Sequence, residues 1–198
     1  MNGADWDSGQ RYVIATETTP VPNATVGSSV LQEYYDYWYN VTNSVLGVTG
    51  VVGSIAFQPV PKIFSQQAKA RGGVGFVLKL ATKKIKANSV QDLLDVPDDT
   101  NYIFLELDFS YFFAIDDAKI DQATQNLYQG LGLLVQKNVD EGLLPDVYRP
   151  LFMNDAYFRQ DYWGRIKPES KNSALQTRLN VDPDEFFQKR TSGGWRLN

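Results

Sequence analysis

The 198-residue chain contains neither cysteine nor histidine. The missing cysteine excludes disulfides, thiolate nucleophiles and cysteine-ligated metals. The missing histidine excludes Ser-His-Asp and Cys-His catalysis and the common zinc sites, so we expect no metal site. Any proton or redox chemistry must therefore come from carboxylates, tyrosine, lysine or a bound cofactor.

The chain also lacks a dense basic surface and a long apolar run. Its net charge is −4, and the one dense basic run is Lys83-Lys84-Ile85-Lys86, so the sequence predicts no nucleic-acid partner. No segment approaches the length of a membrane span, and the first residues have no signal-peptide pattern, so we expect no membrane partner. As given, the chain is expected to be cytoplasmic, and secreted only if it belongs to a longer precursor.

Hydrophobic residues make up 43% of the sequence, which suffices for a domain with a real core. Apolar periodicity and Gly/Pro punctuation predict strands at residues 11–19, 47–60, 76–80 and 102–113. The same signals predict helices at 28–44, 63–70, 89–96 and from Asp116 to Gly142. Because this order lacks βαβαβ alternation, we predict an α+β fold, an antiparallel sheet with helices on one face.

The strand at 102–113 is the most informative element, because its side chains alternate between two faces. One face is apolar and predicts a core: Ile103, Leu105, Leu107, Phe109 and Tyr111. The other, called here the second face, mixes aromatic, acidic and hydroxyl side chains: Tyr102, Phe104, Glu106, Asp108 and Ser110. Something must cover the second face or bind to it.

Several short motifs follow one another along the chain. They are Phe57-Gln58-Pro59, Arg71-Gly72-Gly73, Asp116-Asp117, Phe152-Met153-Asn154, Tyr162-Trp163-Gly164, Asp182-Pro183 with Phe186, and Gly193-Gly194-Trp195-Arg196-Leu197. Their order resembles that in berberine-bridge-enzyme-like FAD-linked oxidases of fungal type, where Phe152-Met153-Asn154 would correspond to a Tyr-x-Asn segment with Phe152 in place of the tyrosine. The chain thus resembles the C-terminal, substrate-binding half of such an oxidase.

The resemblance implies an N-terminal FAD-binding region for which this chain has no room. FAD is therefore expected only if a separate flavin-binding half acts as a partner, and otherwise no cofactor is expected. The resemblance also implies a small secondary metabolite as substrate and a flavin-side or pocket-side polar role for Asn154, and the competing interpretation is that Asn154 stabilises its own loop. We divide the chain into a substrate-pocket domain at 1–145 and a C-terminal return segment at 146–198, packed as a single compact unit.

Glu106 is the candidate proton acceptor, since alternation places it between aromatic residues on the second face. Burial there would suit a carboxylate to proton transfer. Tyr102, Phe104, Asp108 and Gln58 are the candidate substrate-binding residues. The competing interpretation is that this face is simply solvated, most of all at Asp108, and that Gln58 only caps its own turn.

Two further functions fit the sequence. With 4 Trp, 11 Tyr and 11 Phe residues, the chain is rich enough in aromatics for a flavin-free cyclase of the Diels-Alderase kind, which needs shape and a few hydrogen bonds. Alternatively, the chain is a non-catalytic fragment whose uncovered sheet face binds a partner or another copy of itself.

Overall fold

The computed structural model describes residues 10–71, 94, 96–192 and 194–197. The strands in this part of the chain are β1 (Arg11–Pro20), β2 (Val52–Val60) and β3 (Tyr102–Tyr111). The α-helices are α1 (Gly27–Asn43), α2 (Lys62–Ala70), α3 (Asp117–Asp140), α4 (Pro168–Val181) and α5 (Phe186–Arg190). The strand predicted at 76–80 and most of the helix predicted at 89–96 lie outside the described residues.

The described strands form one antiparallel sheet in the order β1-β3-β2. Leu107 of β3 stands opposite Ala15 of β1 and Ile55 of β2, so one register aligns all three strands. β3 is hydrogen-bonded on both sides, and nine of its ten residues are buried. The predicted α+β fold with an antiparallel sheet is confirmed.

The apolar face of β3 packs against α1 and α3, as the alternation predicts. Leu105 and Leu107 are 0% and 1% exposed, and they belong to one core cluster with Tyr34 of α1 and Leu127 and Leu131 of α3. Apolar residues recur along both helices at helical spacing, so each helix turns a continuous stripe to the sheet.

Local sequence explains both ends of α3. At its start, Asp117 accepts hydrogen bonds from the Tyr111 hydroxyl (2.7 Å) and from the Arg11 guanidinium, which joins the helix to the sheet. At its end, Gly142 has a φ of +73°, and the Leu143 amide donates to the Asn138 carbonyl at 2.9 Å. A glycine in this left-handed conformation commonly ends a helix, so the predicted stop is confirmed.

The predicted start of β2 is wrong by five residues, since the strand begins at Val52 and not at Gly47. Val48 is 4% exposed, yet it lies in a turn in which the Val51 amide donates to the Val48 carbonyl. Gly50 in this turn has a φ of +70°, which favours glycine. The apolar composition of this stretch therefore reflects the burial of a turn.

The return segment builds a smaller apolar cluster of its own. Leu151, Tyr162 and Ile166 are its buried members, with Trp163 and Trp195 packed against them. The rings of Trp163 and Trp195 lie 5.2 Å and 5.4 Å from that of Tyr162. The two tryptophans thus anchor the tail. A membrane-spanning helix is absent from the described part, where no helix is long and apolar enough.

Truncating Leu105 to alanine tests the assignment of the core face. The side chain is 0% exposed, so Leu105→Ala should lower the free energy of unfolding by about 2–5 kcal/mol in urea titrations. Leu133→Ala is the matched control, because Leu133 is 73% exposed on α3 and its loss should change the free energy by less than about 0.5 kcal/mol. Equal losses in the two variants would refute the assignment.

Candidate functional site

The register of the sheet brings the predicted residues of the second face into adjacent rows. Glu106 stands between Thr16 and Ala56, and the next row contains Phe104 beside Gln58. Since alternate side chains along a strand share a face, these residues lie on the side of the sheet away from α1 and α3.

The return segment covers much of the second face. The Phe152 ring stacks on the Phe104 ring with centroids 5.3 Å apart and an interplanar angle of 12°. The Tyr102 hydroxyl donates to the Tyr148 carbonyl at 2.7 Å, and the Thr18 hydroxyl donates to the Pro150 carbonyl. The return segment, which contains Phe152-Met153-Asn154, is therefore the cover of this sheet face.

Three carboxylates gather under this cover: Glu106, Asp108 and Asp155, called here the acidic cluster. The Gln58 amide donates to Glu106 Oε2 and lies 3.5 Å from Asp155 Oδ2. Gln58 thus connects Glu106 to Asp155, which the sequence analysis did not identify. The signal available for Asp155 was its position directly after Asn154, in a segment expected to return to the sheet.

Burial and mutual repulsion change the acidity of the cluster. Desolvation, followed by the charges of Glu106 and Asp108, raises the pKa of Asp155 to about 6. Desolvation also raises the pKa of Asp108, and hydrogen bonds from the Tyr12 and Ser54 hydroxyls oppose this shift. Asp155 and Asp108 therefore retain their protons at a higher pH than ordinary surface carboxylates do.

Asp108 is more enclosed than Glu106, which reverses the order expected from the sequence. It is 9% exposed, and its two oxygens accept hydrogen bonds from Tyr12 at 2.6 Å and Ser54 at 2.9 Å. The interpretation of Asp108 as a solvated residue is therefore wrong. Glu106 is half-buried, and among the described residues its Oε1 atom has no hydrogen-bond partner.

The remaining predicted residues differ in how open they are to a ligand. Tyr102 is 0% exposed, and burial raises its pKa to about 12. Phe104 is buried beneath Phe152, whereas Gln58 is half-buried and Asn154 is exposed. In the part of the chain that the structure describes, the residues open to a ligand are thus Glu106, Gln58 and Asn154 rather than the two aromatics.

Two buried hydroxyls on the second face have no hydrogen-bond partner within the described residues. They are Thr16 Oγ1, opposite Glu106, and Ser110 Oγ, two residues beyond Asp108. Buried polar atoms are usually satisfied, so this face retains unused hydrogen-bonding capacity. No group of three or more acidic, histidine or cysteine side chains in the described ranges is arranged to hold a metal ion.

Two buried polar contacts attach the return segment to β1. The Gln160 amide donates to the Thr16 carbonyl at 2.7 Å and accepts from the Thr16 amide at 3.1 Å. Arg165 forms an ion pair with Glu17, with Nη2 2.7 Å from Oε1. Glu17 is 4% exposed, so this carboxylate depends on Arg165 for charge compensation.

A groove of about 1000 Å³ lies between α3 and the return segment, away from the acidic cluster. Its lining includes Gly132 of α3 and Arg149, Arg165 and Lys167 of the return segment. None of the six candidate residues named from the sequence lines this groove. This groove is therefore separate from the predicted catalytic face.

Comparison with known proteins adds one finding to this geometry. Over 189 residues the chain is 33% identical to an uncharacterized FAD-linked oxidoreductase from Arthroderma benhamiae. The chain is similar to an FAD-linked oxidoreductase. The similarity covers 96% of this chain but 34% of the relative, so the chain spans about a third of that protein's length. No family model and no solved structure matches the chain.

The polar side chains at the second face and in its cover have the chemistry to contact part of an FAD molecule. A flavin ring carries hydrogen-bond donors and acceptors along its edge, and Glu106, Gln58 and Asn154 are polar side chains here with exposed surface left for such a ligand. The hydroxyls of Thr16 and Ser110, which have no partner among the described residues, add polar capacity on this side of the sheet. These side chains are suited to the ring, and they are too few to hold the rest of the cofactor.

Removing Arg165 tests how the cover is attached. Arg165→Met should lower the free energy of unfolding by about 3–5 kcal/mol, because it leaves the buried Glu17 carboxylate unpaired. A second change, Glu17→Gln, should restore much of the loss in urea titrations. Arg11→Met is the control, since it breaks an ion pair with Asp117 in which both side chains are nearly half exposed, and it should cost less than about 1 kcal/mol. Equal effects of Arg165→Met and Arg11→Met would contradict the proposed attachment.

Proposed function

We propose that this chain is the substrate-binding part of an FAD-linked oxidoreductase, of the berberine-bridge-like type, that oxidises a small secondary metabolite. The observation that carries the proposal is a similarity that spans 96% of the chain and 34% of an FAD-linked relative. A flavin-binding partner region would then occupy much of the remaining length of such a protein. The second face of the sheet, with its acidic cluster, is the side that would meet the flavin and the substrate.

Glu106 is the proton acceptor in this proposal. Both oxygens of Asp108 are occupied by hydroxyl donors, whereas Glu106 has one oxygen bound by Gln58 and one without a partner among the described residues. Gln58 orients the Glu106 carboxylate so that Oε1 remains available to a ligand. A half-buried carboxylate with one free oxygen is well placed for general-base catalysis.

The oxidation requires removal of a hydride from carbon and of a proton from the neighbouring oxygen or nitrogen. When bound, FAD supplies the hydride acceptor for such a reaction. Glu106 takes the proton from the substrate hydroxyl or amine as the C–H bond breaks. Asn154, exposed at the edge of the cover, would donate a hydrogen bond to the flavin or the substrate.

Reconstitution with a flavin-binding region tests this function. The chain would be co-expressed with the part of the Arthroderma benhamiae relative that lies outside the matched segment, and bound flavin would be measured by its visible absorbance. Oxygen consumption would then be followed with a panel of small phenols and alcohols. A colourless complex with no oxidation would refute the oxidase proposal. Conversion of a polyene by the flavin-free chain would support a cyclase in its place.

Glu106→Gln tests the assigned role within the active complex. The substitution keeps the size of the side chain and removes the base, so turnover should fall by about 10²–10⁴-fold while bound flavin and folding are unchanged. Asp108→Asn is the matched control, because Asp108 is enclosed by Tyr12 and Ser54, and it should reduce turnover less than tenfold. Full turnover in Glu106→Gln would show that Glu106 is not the base.

A further inference from the structure

Asp155 has an unusual environment for a carboxylate. It is 8% exposed, and the Gln58 amide that lies 3.5 Å from its Oδ2 atom also donates to Glu106. The charged groups that act on it are Glu106 and Asp108, both from β3 and both acidic. Tyr12 of β1 reaches the cluster through its hydrogen bond to Asp108. Among the described residues, no lysine or arginine forms an ion pair with any of the three carboxylates.

We propose that Asp155 is the proton partner of Glu106, and that Gln58 joins the two carboxylates into a pair that shares one proton. Two carboxylates that share one amide donor in a buried site repel each other when both are ionised. Binding a single proton at Asp155 relieves this repulsion. Asp155 is a positioning residue in this scheme, because it acts through Glu106.

The pair gives the proposed reaction a route for its proton, and this step rests on the proposed function. Before turnover the proton of the pair is on Asp155, and Glu106 is the member that accepts. The substrate O–H or N–H bond then breaks and a Glu106 O–H bond forms. As Glu106 becomes neutral, Asp155 releases its own proton to water, and the proton on Glu106 then passes to Asp155, which restores the starting arrangement. The net result is one proton released for each hydride removed.

The titration of Asp155 supports this arrangement and makes it measurable without any activity. Burial, the charge of Glu106 and the charge of Asp108, in that order, raise the pKa of Asp155 to about 6, and the hydrogen bond from Gln58 lowers it. Because the pKa is raised in the folded state, protonated Asp155 stabilises the fold at low pH. This contribution is lost as the pH rises through about 6.

Side-chain carboxyl NMR of the full chain, labelled with ¹³C at Asp and Glu, tests the pair directly. In the unmodified protein the resonance that disappears in Asp155→Asn should titrate near pH 6. Glu106→Gln should lower this midpoint towards the ordinary range of aspartate, Asp108→Asn should lower it less, and Gln58→Leu should raise it. Asp36→Asn is the control, since Asp36 is exposed on α1 beside Gln32, and it should leave the midpoint unchanged.

Two results would refute the proposed pairing of Asp155 with Glu106. One is a titration midpoint of Asp155 near pH 4 in the unmodified protein, and the other is a midpoint that Glu106→Gln does not change. Thermal unfolding provides a second measurement, in which Asp155→Asn should gain stability relative to the unmodified protein as the pH rises from about 4 to 7. Neither measurement requires flavin. A coupled titration without oxidase activity would therefore refute the proposed function alone, and Glu106-dependent oxidation with an independent Asp155 would refute the pair alone.

Discussion

The structure depends on the need to bury β3 from both sides. A central strand hydrogen-bonded to two neighbours has no free edge, and its two faces carry different chemistry. The apolar face is covered by α1 and α3 mainly through hydrophobic burial. The second face carries carboxylates and hydroxyls, so its cover has to supply hydrogen bonds as well as apolar surface. This difference explains why a long segment with little regular structure, rather than another amphipathic helix, lies over it.

The return segment supplies the apolar surface through a side chain and the hydrogen bonds through backbone groups. Phe152 provides an apolar surface for Phe104, and the carbonyls of Tyr148 and Pro150 accept hydrogen bonds from hydroxyls of the sheet. Asp155, by contrast, adds negative charge to a face that already has two acids. A neutral residue there would avoid this repulsion, so Asp155 carries an electrostatic cost within the cover.

The features that the sequence could predict are those set by local periodicity. Alternation along residues 102–111 correctly separated the two faces, and Gly142 correctly marked the end of α3. Local pattern could not place Asp155, which meets Gln58 from 97 residues away in the chain. Nor could it predict which of Glu106 and Asp108 is more buried, because the alternation of side chains along a strand identifies a face but not how deeply a residue is buried on it. That depth depends on Tyr12 and Ser54, which reach Asp108 only through the register of β1 and β2.

The contact between Gln160 and Thr16 also affects how copies of this chain can meet. Along an outer strand, unpaired amide and carbonyl groups act as a template on which a foreign strand can add. At Thr16 the side-chain amide of Gln160 binds both the backbone amide and the backbone carbonyl. One residue of an additional strand would bind the same two groups. The protein thereby interrupts the template near the middle of β1 with one residue. Aggregation through strand addition at this edge would first have to displace the return segment, which ties the solubility of the chain to the integrity of its candidate site.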